Sequence, residues 1–418
     1  MKSRMPMPFD RPFDRRRLLG HSLAAGGLMS LSGCAGAGPG LATARVIGGR
    51  EVLMPMRASV DRITDIKVCL RPFRPQGPRL DAERLGDTLV IHNYGHGGSG
   101  WSLSWGSAEV AVAKAAAALP DRVAVVGCGI IGLTSAVMAQ RAGMQVTIYT
   151  KEVFSRTRSV RANGSWTPDS RIALTKPAGE NFGPLWERMA RFSWKSFRSY
   201  LGLPGNPVDF SDNYRLSDRP HVAHEEEAPP PGKGDYASTG MPQDSSEFAS
   251  YSDRIEDITP AVETMEPGST PFAAPYVRRG SNMFFNFASY GHYLMQEFLE
   301  NGGRIEIREF HEPGELAQLK EKVVINCPGY AARDWWRDAT LIPVRGQTAW
   351  LIPQAEVHYG LYTNNVSALS KSDGLMIQAF HGLGDMEGLG NSSELPDRAE
   401  SEAAVEVIRK AFAGFRQG

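Results

Sequence analysis

A short glycine-rich turn between a strand and a helix constrains the fold of this 418-residue chain more than any other feature. Residues 122–126 (RVAVV) are apolar and rich in β-branched side chains, which predicts a buried strand, and residues 145–149 (QVTIY) predict a second one. Between them, GCGIIG (residues 127–132) opens a helical stretch that ends near Gly143. Strand, turn, helix and strand form one βαβ unit, which indicates an α/β fold with a parallel sheet.

The three glycines of this turn have separate physical tasks. The first permits a tight turn, the second lets the backbone approach a pyrophosphate, and the third lets helix and strand pack closely. The N-terminus of the following helix adds free N–H groups and the positive end of the helix dipole. The turn therefore predicts dinucleotide binding by FAD or NAD, with a glycine turn that binds nothing as the alternative. The predicted binding residues are Gly127, Gly129, Ile130, Ile131 and Gly132.

The residue that would bind the ribose is left open by the sequence. The second strand runs into Tyr149-Thr150-Lys151-Glu152. A carboxylate placed after this strand binds ribose hydroxyls in dinucleotide-binding folds. Glu152 has that chemistry, whereas Lys151 lies nearer the usual position, so both are candidates for cofactor contact.

The composition excludes several classes of protein. Lys plus Arg and Asp plus Glu are equal at 46 each, so the chain lacks the basic excess typical of nucleic-acid binders. The cysteines are too few and too scattered for a disulfide framework, and no pair has the CxxC spacing of a metal site. We therefore expect a small-molecule substrate, no nucleic-acid partner and no metal. The four cysteines are Cys34, Cys69, Cys128 and Cys327.

Residues 1–34 are predicted to be an export signal and not part of the fold. DRRRLLG (residues 14–20) places paired arginines before a modest apolar stretch, which resembles a twin-arginine signal. LSGC at residues 31–34 resembles a lipobox, so a lipid on Cys34 would be the expected membrane attachment. The apolar stretch is too short to span a bilayer, and a basic tail is the alternative. We expect a periplasmic or cell-envelope location, and a linker over residues 35–60.

Two unusual blocks precede the glycine turn. They are LRPFRPQ (residues 70–76) and VIHNYGHGGSGWS (residues 90–102), the latter followed by Trp105-Gly106. Clustered glycines bring backbone N–H groups close to a flat ring such as a flavin. Both blocks resemble the RPxRPQ and HNYGHGGxG…WG blocks of the D-amino-acid oxidase and D-aspartate oxidase family. Further similarities to that family lie in residues 162–168 (ANGSWTP), 324–329 (VINCPG), 345–347 (RGQ) and 359–362 (YGLY).

This resemblance implies FAD as the cofactor and an α/β fold in two parts. A Rossmann-like FAD-binding domain would lie beside an α+β substrate domain built on an antiparallel sheet. The FAD-binding domain would comprise residues 71–176 and 283–343, and the substrate domain residues 61–70, 177–282 and 344–418. The residues that the resemblance implies in cofactor binding, beside the glycine turn and Lys151, are Gly97, Gly98, Ser99, Gly100, Trp101, Ser102, Thr157, Ser159 and Gly164.

Two histidines in the second block raise the alternative of a metal site. His92 and His96 stand four positions apart. The glycines around them forbid a helix that would place both on one face, and no carboxylate follows at a suitable spacing. We therefore predict structural or flavin-pocket histidines.

The order of the blocks departs from that of the family. There the RPxRPQ and HNYGHGG blocks lie near the C-terminus and the glycine turn near the N-terminus, whereas here the order is reversed. We therefore predict a circular permutation in which Pro120–Asp121 joins the family's usual ends. The new break would fall between the last helix, near residues 401–412, and a strand near Ile63. Residues 62–70 should then lie beside that helix.

The resemblance also implies a reaction. The substrate would lie over the flavin and lose its α-hydrogen as hydride to flavin N5, which gives an imino acid and, in an oxidase, hydrogen peroxide. Arg71 corresponds to the substrate-carboxylate anchor, where a planar guanidinium binds both oxygens; a structural ion pair is its alternative role. The carbonyl of Gly98 would accept a hydrogen bond from the substrate amine. Tyr362 corresponds to an active-site tyrosine, with simple packing as the alternative.

Two positions depart from the family and widen the range of functions. The second active-site tyrosine should fall near Val366–Ser367, where neither residue is aromatic, and Thr167 stands where glutamine is frequent. The resemblance implies oxidation of a D-amino acid or a related amine, with oxygen or a respiratory electron acceptor as the final acceptor. A flavin dehydrogenase of an amine or N-substituted amino acid with a respiratory acceptor, and a flavoprotein whose catalytic pocket has decayed, are the alternatives. The glycine turn alone would also fit an NAD-dependent dehydrogenase, but that function does not account for the HNYGHGG block in residues 90–102.

Overall fold

The strands and helices follow one another along the part of the chain that the computed structural model describes, residues 45–47, 50–220, 241–242 and 244–415. The strands are β1 (Arg45–Ile47), β2 (Arg50–Val52), β3 (Ile63–Phe73), β4 (Ala82–Leu85), β5 (Thr88–His92), β6 (Arg122–Val126), β7 (Gln145–Thr150), β8 (Val208–Ser217), β9 (Val262–Thr264), β10 (Tyr276–Phe285), β11 (Arg304–Ile307), β12 (Val323–Asn326), β13 (Ile342–Leu351), β14 (Tyr359–Thr363), β15 (Val366–Lys371) and β16 (Gly374–Ala379). The α-helices are α1 (Gly100–Ala116), α2 (Ile130–Arg141), α3 (Thr175–Ala178), α4 (Phe182–Arg198), α5 (Phe287–Glu300), α6 (Ala332–Trp335) and α7 (Arg398–Ala411).

The first sheet contains the predicted βαβ unit. Its strand order is β11-β7-β6-β12-β5-β4, and every pairing is parallel except that of the edge strand β4 with β5. The last four residues of β6 are buried because both faces of this strand are covered. Helix α2 connects β6 to β7, as the glycine turn predicts.

Helix α1 packs against both α2 and α4 on the first sheet. Alanines and glycine make the approach close, and a Cβ atom at Gly106 would overlap the backbone of Met189 in α4. After the helix the chain turns at Leu119, whose φ of 51° and 89% exposure mark a surface corner. Strand β6 begins three residues later.

The second sheet has the strand order β3-β13-β16-β15-β14-β8-β10-β9. All its pairings are antiparallel except the parallel pair of β14 and β8. Helix α7 buries Ala404, Val405 and Ile408 in an apolar cluster with strand residues such as Leu361 and Ile377. The fold is therefore α/β, with a Rossmann-like part beside a second part built on a mainly antiparallel sheet.

Part of the predicted linker belongs to the folded structure. Met56 and Ala58 are buried in the apolar cluster beneath α7. The side chain of Gln354 accepts a hydrogen bond from the backbone N–H of Arg57 (2.6 Å) and donates one to the carbonyl of Pro55 (3.2 Å). Apolar burial and satisfied backbone groups hold residues 53–60 on the second sheet. The prediction of a linker was wrong for these residues because it relied on the Gly/Pro content of the region.

The predicted domain boundaries differ from the sheets by a few residues. Strand β3 keeps residues 71–73 in the second sheet, and β10 does the same for residues 283–285. Both segments fall within the range predicted for the FAD-binding domain. The division into two domains itself stays a prediction.

The predicted export signal, with Cys34, lies outside the described residues. Within the described part of the chain, no helix combines the length and the apolar character needed to cross a membrane. Export and lipid attachment therefore remain predictions from the sequence.

Candidate cofactor and substrate site

A cavity of about 2100 Å³ is lined by residues of both sheets. From the first sheet come the segments that follow the carboxyl ends of β5, β6, β7 and β12. From the second come residues of β3, β8, β10 and β14. Ligands of open α/β sheets bind at the carboxyl ends of the parallel strands, so this cavity is the candidate site.

The glycine turn is shaped by backbone that leaves no room for side chains. Gly127 has a φ of 96°, and a Cβ atom there would overlap the carbonyl oxygen of Cys327. A Cβ atom at Gly132 would overlap the carbonyl oxygen of Gly127. Helix, turn and strand therefore approach as closely as a pyrophosphate-binding turn requires.

The N-terminus of α2 faces the same cavity. Gly129 is its N-cap and supplies no capping side chain, and the amide of Ile130 donates a hydrogen bond to Ser159 Oγ (2.9 Å). First-turn N–H groups lack partners within a helix, and together with the helix dipole they favour an anion. All the residues predicted for the turn line the cavity, as do Ser159 and Thr157.

The end of β7 leaves the ribose contact open. Lys151 and Glu152 both line the cavity. Lys151 forms an ion pair with Glu309 at 2.7 Å, and this carboxylate raises the pKa of Lys151. Glu152 is exposed, and its backbone carbonyl accepts a hydrogen bond from Thr150 Oγ1 (2.7 Å).

The HNYGHGG block forms a second glycine-lined wall. Gly97 has a φ of 55°, and a Cβ atom there would overlap the carbonyl oxygen of Arg171. The N–H of Gly98 donates to the carbonyl of Ser170 (3.0 Å), and a Cβ atom at Gly98 would lie 2.6 Å from Ser170 Oγ. Gly97, Gly98 and the neighbouring Gly100 therefore line the cavity without side chains, and Trp101 lines it beside them.

Three residues predicted to contact the cofactor do not line the cavity. The hydroxyl of Ser99 donates to a backbone carbonyl (2.9 Å), and the hydroxyl of Ser102 accepts a backbone N–H (2.8 Å). Gly164 instead packs under Phe287, whose ring would lie 2.7 Å from a Cβ atom there. The two serine hydroxyls bond to backbone groups of the protein and not to the cavity, because helix α1 begins at this point. The local sequence pattern did not indicate this orientation.

The two histidines of the block have different surroundings. His92 is fully buried, donates to Glu83 Oε1 (2.7 Å) and accepts from Asn326 (3.3 Å), so its role is structural. His96 lines the cavity, and its Nε2 atom has no hydrogen-bond partner among the described residues. Burial lowers the pKa of His96 to about 3, so its ring is neutral near pH 7. A buried ring nitrogen without a partner is suited to a hydrogen bond with a bound group.

Arg71 presents a half-buried guanidinium to the cavity. It lies in β3, donates to the carbonyl of Arg345 (3.2 Å), and occupies space left by Gly346, where a Cβ atom would lie 2.5 Å from it. Within the described residues it forms no ion pair with a carboxylate, so the structural ion pair considered from the sequence has no partner there. Desolvation lowers the pKa of Arg71, and the nearby carboxylates of Asp385 and Glu387 oppose this shift only in part.

Tyr362 forms another part of the cavity wall. Its hydroxyl donates to Asn365 Oδ1 (3.2 Å), and its ring lies 6.1 Å from that of Phe380, centroid to centroid. Burial raises the pKa of the Tyr362 hydroxyl, so it stays protonated. Val366, at the position where the family has a second tyrosine, is buried in the apolar cluster beneath α7.

Arg171 is a cavity residue that the sequence did not reveal. It is 5% exposed and has a φ of 49°. Its guanidinium donates to the carbonyls of Asp385 (2.7 Å) and Gly384 (2.8 Å), which fixes that loop at the cavity. These contacts span more than 200 positions of sequence, so no local pattern indicates them.

The glycine turn of the βαβ unit, the glycine-lined wall of the HNYGHGG block and the guanidinium of Arg71 together point to a dinucleotide-dependent enzyme. The family described as DAO, FAD dependent oxidoreductase, matches residues 122–417. The chain belongs to this family, and its cofactor is FAD. The residues present fit that group, because the glycine turn and α2 suit a pyrophosphate and the glycine block with the unpartnered His96 suits a flavin ring.

Individual relatives match over part of their length. A D-amino-acid oxidase of Rubrobacter xylanophilus is 49% identical over 82 residues, which cover 19% of this chain and 25% of that protein. A D-amino-acid oxidase of Streptomyces coelicolor is 28% identical over 229 residues, which cover 54% of this chain and 57% of that protein. The matched regions thus span about a quarter and about half of these relatives. The crystal structure of a glycine oxidase from Geobacillus kaustophilus aligns with a TM-score of 0.45 and 15% identity, over 71% of this chain and 78% of that one.

Proposed function

We propose that the protein oxidises a D-amino acid or a related amine to the imino product, with oxygen or a respiratory electron carrier as the final acceptor. FAD supplies the hydride acceptor for this reaction. The observation that carries the proposal is the guanidinium of Arg71, which lines the same cavity as the glycine block and forms no ion pair with a carboxylate among the described residues. The names of the Rubrobacter and Streptomyces relatives support the same substrate class.

The chain's own residues would bind the substrate at both of its polar groups. Arg71 would hold the carboxylate with two charge-assisted hydrogen bonds, which fixes the direction of the Cα–H bond. The carbonyl of Gly98 would accept a hydrogen bond from the amine. Tyr362 would cover the substrate, and its neutral hydroxyl adds no charge to the pocket.

The test is an anaerobic screen of FAD-loaded protein against D-amino acids, L-amino acids and simple amines, with flavin absorbance as the readout. We expect bleaching by a subset of amines, followed by peroxide formation in air if oxygen is the acceptor. Bleaching without peroxide, but with reduction of an added quinone, would identify a dehydrogenase. Full bleaching by dithionite with no response to any amine would contradict the proposed function.

We further propose that the chain is a circular permutation of the family order. Support comes from the position of the two segments that would form the new break. Leu53, Val60 and Ile63 pack against the same apolar cluster as α7, and so does Phe415. The connection between α1 and β6 is a short surface corner, which is where a joint between former ends would lie.

A re-ordered variant tests this proposal. It begins at Asp121, continues to Phe415, passes through a short Gly/Ser linker to Leu53 and ends at Leu119. We expect it to bind FAD with about the affinity of the original chain, because the two joined ends contact one cluster and the opened corner is exposed. A second variant opened between Gly97 and Gly98 is the control and should lose FAD. Loss of folding in the first variant alone would contradict the proposal.

We also propose export by the twin-arginine route, with a lipid on Cys34. The support is the sequence of residues 14–20 and 31–34. Changing Arg15, Arg16 and Arg17 together to lysine should retain the protein in the cytoplasm, and Cys34→Ala should release it from the membrane fraction. Unchanged fractionation of both variants would remove the proposal.

A further inference from the structure

Arg71 lies between two cavities. One is the large cavity described above, and the other is a small one of about 40 Å³. A water molecule needs about 10–15 Å³ of such space, so the small cavity has room for about three at most. Besides Arg71, the charged side chains in its wall are those of Arg171, Arg345, Glu387 and Glu400. A space of this size and polarity suits ordered water.

The other two arginines in this wall have carboxylate partners. Arg345 Nη1 lies 3.4 Å from Glu400 Oε2, and Arg171 Nη1 lies 3.3 Å from Asp385 Oδ1. Arg71 forms no ion pair within the described part of the chain, although its Nη1 atom donates to the carbonyl of Arg345 (3.2 Å). Because a guanidinium carries five N–H donors, the others remain available to acceptors in the two cavities.

Glu387 supplies an acceptor in the same wall. Its Oε1 atom lies 3.3 Å from Nδ1 of His381, which is an exposed residue. Its Oε2 atom is buried and has no hydrogen-bond partner among the described residues. A buried carboxylate oxygen is costly to leave without a hydrogen bond, and ordered water satisfies many such atoms. The small cavity is the space in which that water would lie.

The backbone fixes Glu387 beside Arg71. The carbonyl of Arg345 accepts the hydrogen bond from Arg71, and the N–H of Arg345 donates to the carbonyl of Gly388 (2.9 Å). Gly388 has a φ of 74°, and a Cβ atom there would overlap the carbonyl oxygen of Arg345. Arg171 binds backbone carbonyls of the same loop a few residues earlier. The loop is therefore anchored on both sides of Glu387, which holds the carboxylate at the small cavity.

We infer that Glu387 is a positioning residue that acts on Arg71 through a water molecule in the small cavity. The water donates to Glu387 Oε2 and accepts a hydrogen bond from the guanidinium of Arg71. The Arg345 carbonyl and this water then set the plane of the guanidinium before the substrate binds, and its remaining N–H groups face the large cavity. The inference rests on the proposed function, in which those groups bind the substrate carboxylate.

A pair of matched variants tests the inference by ligand binding. Glu387→Leu and Glu387→Gln both remove the negative charge, but only glutamine keeps an oxygen that accepts a hydrogen bond from the water. Unreactive propanoate is titrated into each FAD-loaded protein, and the shift of the flavin absorbance gives its Kd. We expect the leucine variant to bind propanoate about 10-fold more weakly, as loss of a charge-assisted hydrogen bond provides. The glutamine variant should bind it at least as tightly as the unaltered protein.

The direction of the change separates a positioning role from two others. Loss of a negative charge near the site would, by itself, tighten the binding of an anion to both variants alike. A purely structural role would lower the melting temperature of the leucine variant and leave the propanoate Kd of the folded, FAD-loaded protein unchanged. Either result would overturn the inference.

Arg71→Lys shows whether the effect passes through the guanidinium. In that background, Glu387→Leu should change the Kd of propanoate by less than about twofold, because the group on which Glu387 acts is gone. An equal loss of affinity with arginine and with lysine at position 71 would mean that Glu387 acts by another route, and the inference would fall.

A crystal structure of the FAD-loaded protein would show the water itself. We expect one ordered water about 2.7–3.2 Å from both Glu387 Oε2 and a guanidinium nitrogen of Arg71. A small cavity without a water in contact with both groups would overturn the inference. If the variants bind propanoate as expected but no amine bleaches the flavin, only the proposed function fails. If amines bleach the flavin but the leucine variant keeps the propanoate Kd of the unaltered protein, only the inference fails.

Discussion

Replacing Arg71 by alanine is expected to lower kcat/KM for amino-acid substrates by about two to three orders of magnitude while FAD stays bound. Removal of one partner of a buried charge pair costs about 3–5 kcal/mol, and in the variant the bound substrate carboxylate would have no charged partner. The guanidinium also orients the Cα–H bond, so kcat should fall as well as KM rise. Steady-state kinetics and the flavin spectrum of the variant measure both parts.

Thermal stability distinguishes an anchor from a structural residue. In the protein without substrate the guanidinium of Arg71 is half-buried and forms no ion pair with a carboxylate among the described residues. Alanine at this position should therefore leave the melting temperature equal or higher, whereas loss of a structural ion pair would lower it. Arg71→Lys is the matched control: it keeps the charge but loses the planar fork, so part of the activity should return. Full activity of the alanine variant would remove Arg71 from the site.

The sequence was most informative where function depends on contiguous backbone. The GCGIIG turn could be interpreted because its flanking strands and helix lie within thirty residues of sequence. The role of the glycines at residues 97 and 98 was equally predictable, because adjacent glycines are favoured where the backbone must approach a ligand closely. In both places the structure puts these glycines on the cavity wall.

The arginines of the cavity were less predictable because pairing register decides where they point. Arg215 and Arg278 lie more than sixty residues apart, and only the pairing of β8 with β10 sets them side by side. A shift of one residue would turn Arg279 to the cavity in place of Arg278. Arg171 is similar, since its partners come from a distant loop. An isolated arginine in a polar stretch of sequence does not indicate which distant residues it will contact in the fold.

Gly132→Ala tests the physical claim on which cofactor binding rests. The added Cβ atom would overlap the carbonyl oxygen of Gly127, which is backbone and has no rotamer to adopt. Relief of the overlap must move either α2 or the turn, and both carry the N–H groups that suit the pyrophosphate. We expect the affinity for FAD to fall about 10- to 100-fold, in line with the about 1–3 kcal/mol that overpacking costs, together with a lower melting temperature.

A second glycine separates this effect from general destabilisation. Gly106→Ala would create an equally severe overlap, with the backbone of Met189 at the packing of α1 on α4, but Gly106 does not line the cavity. It should lower the melting temperature while the folded protein keeps its FAD affinity. Gly314→Ala, with only a side-chain oxygen 3.9 Å away, should change neither quantity. If Gly132→Ala kept the FAD dissociation constant of the unaltered protein, close packing at the turn would not be what binds the cofactor. If Gly106→Ala lost FAD equally, the effect would belong to stability and not to the turn.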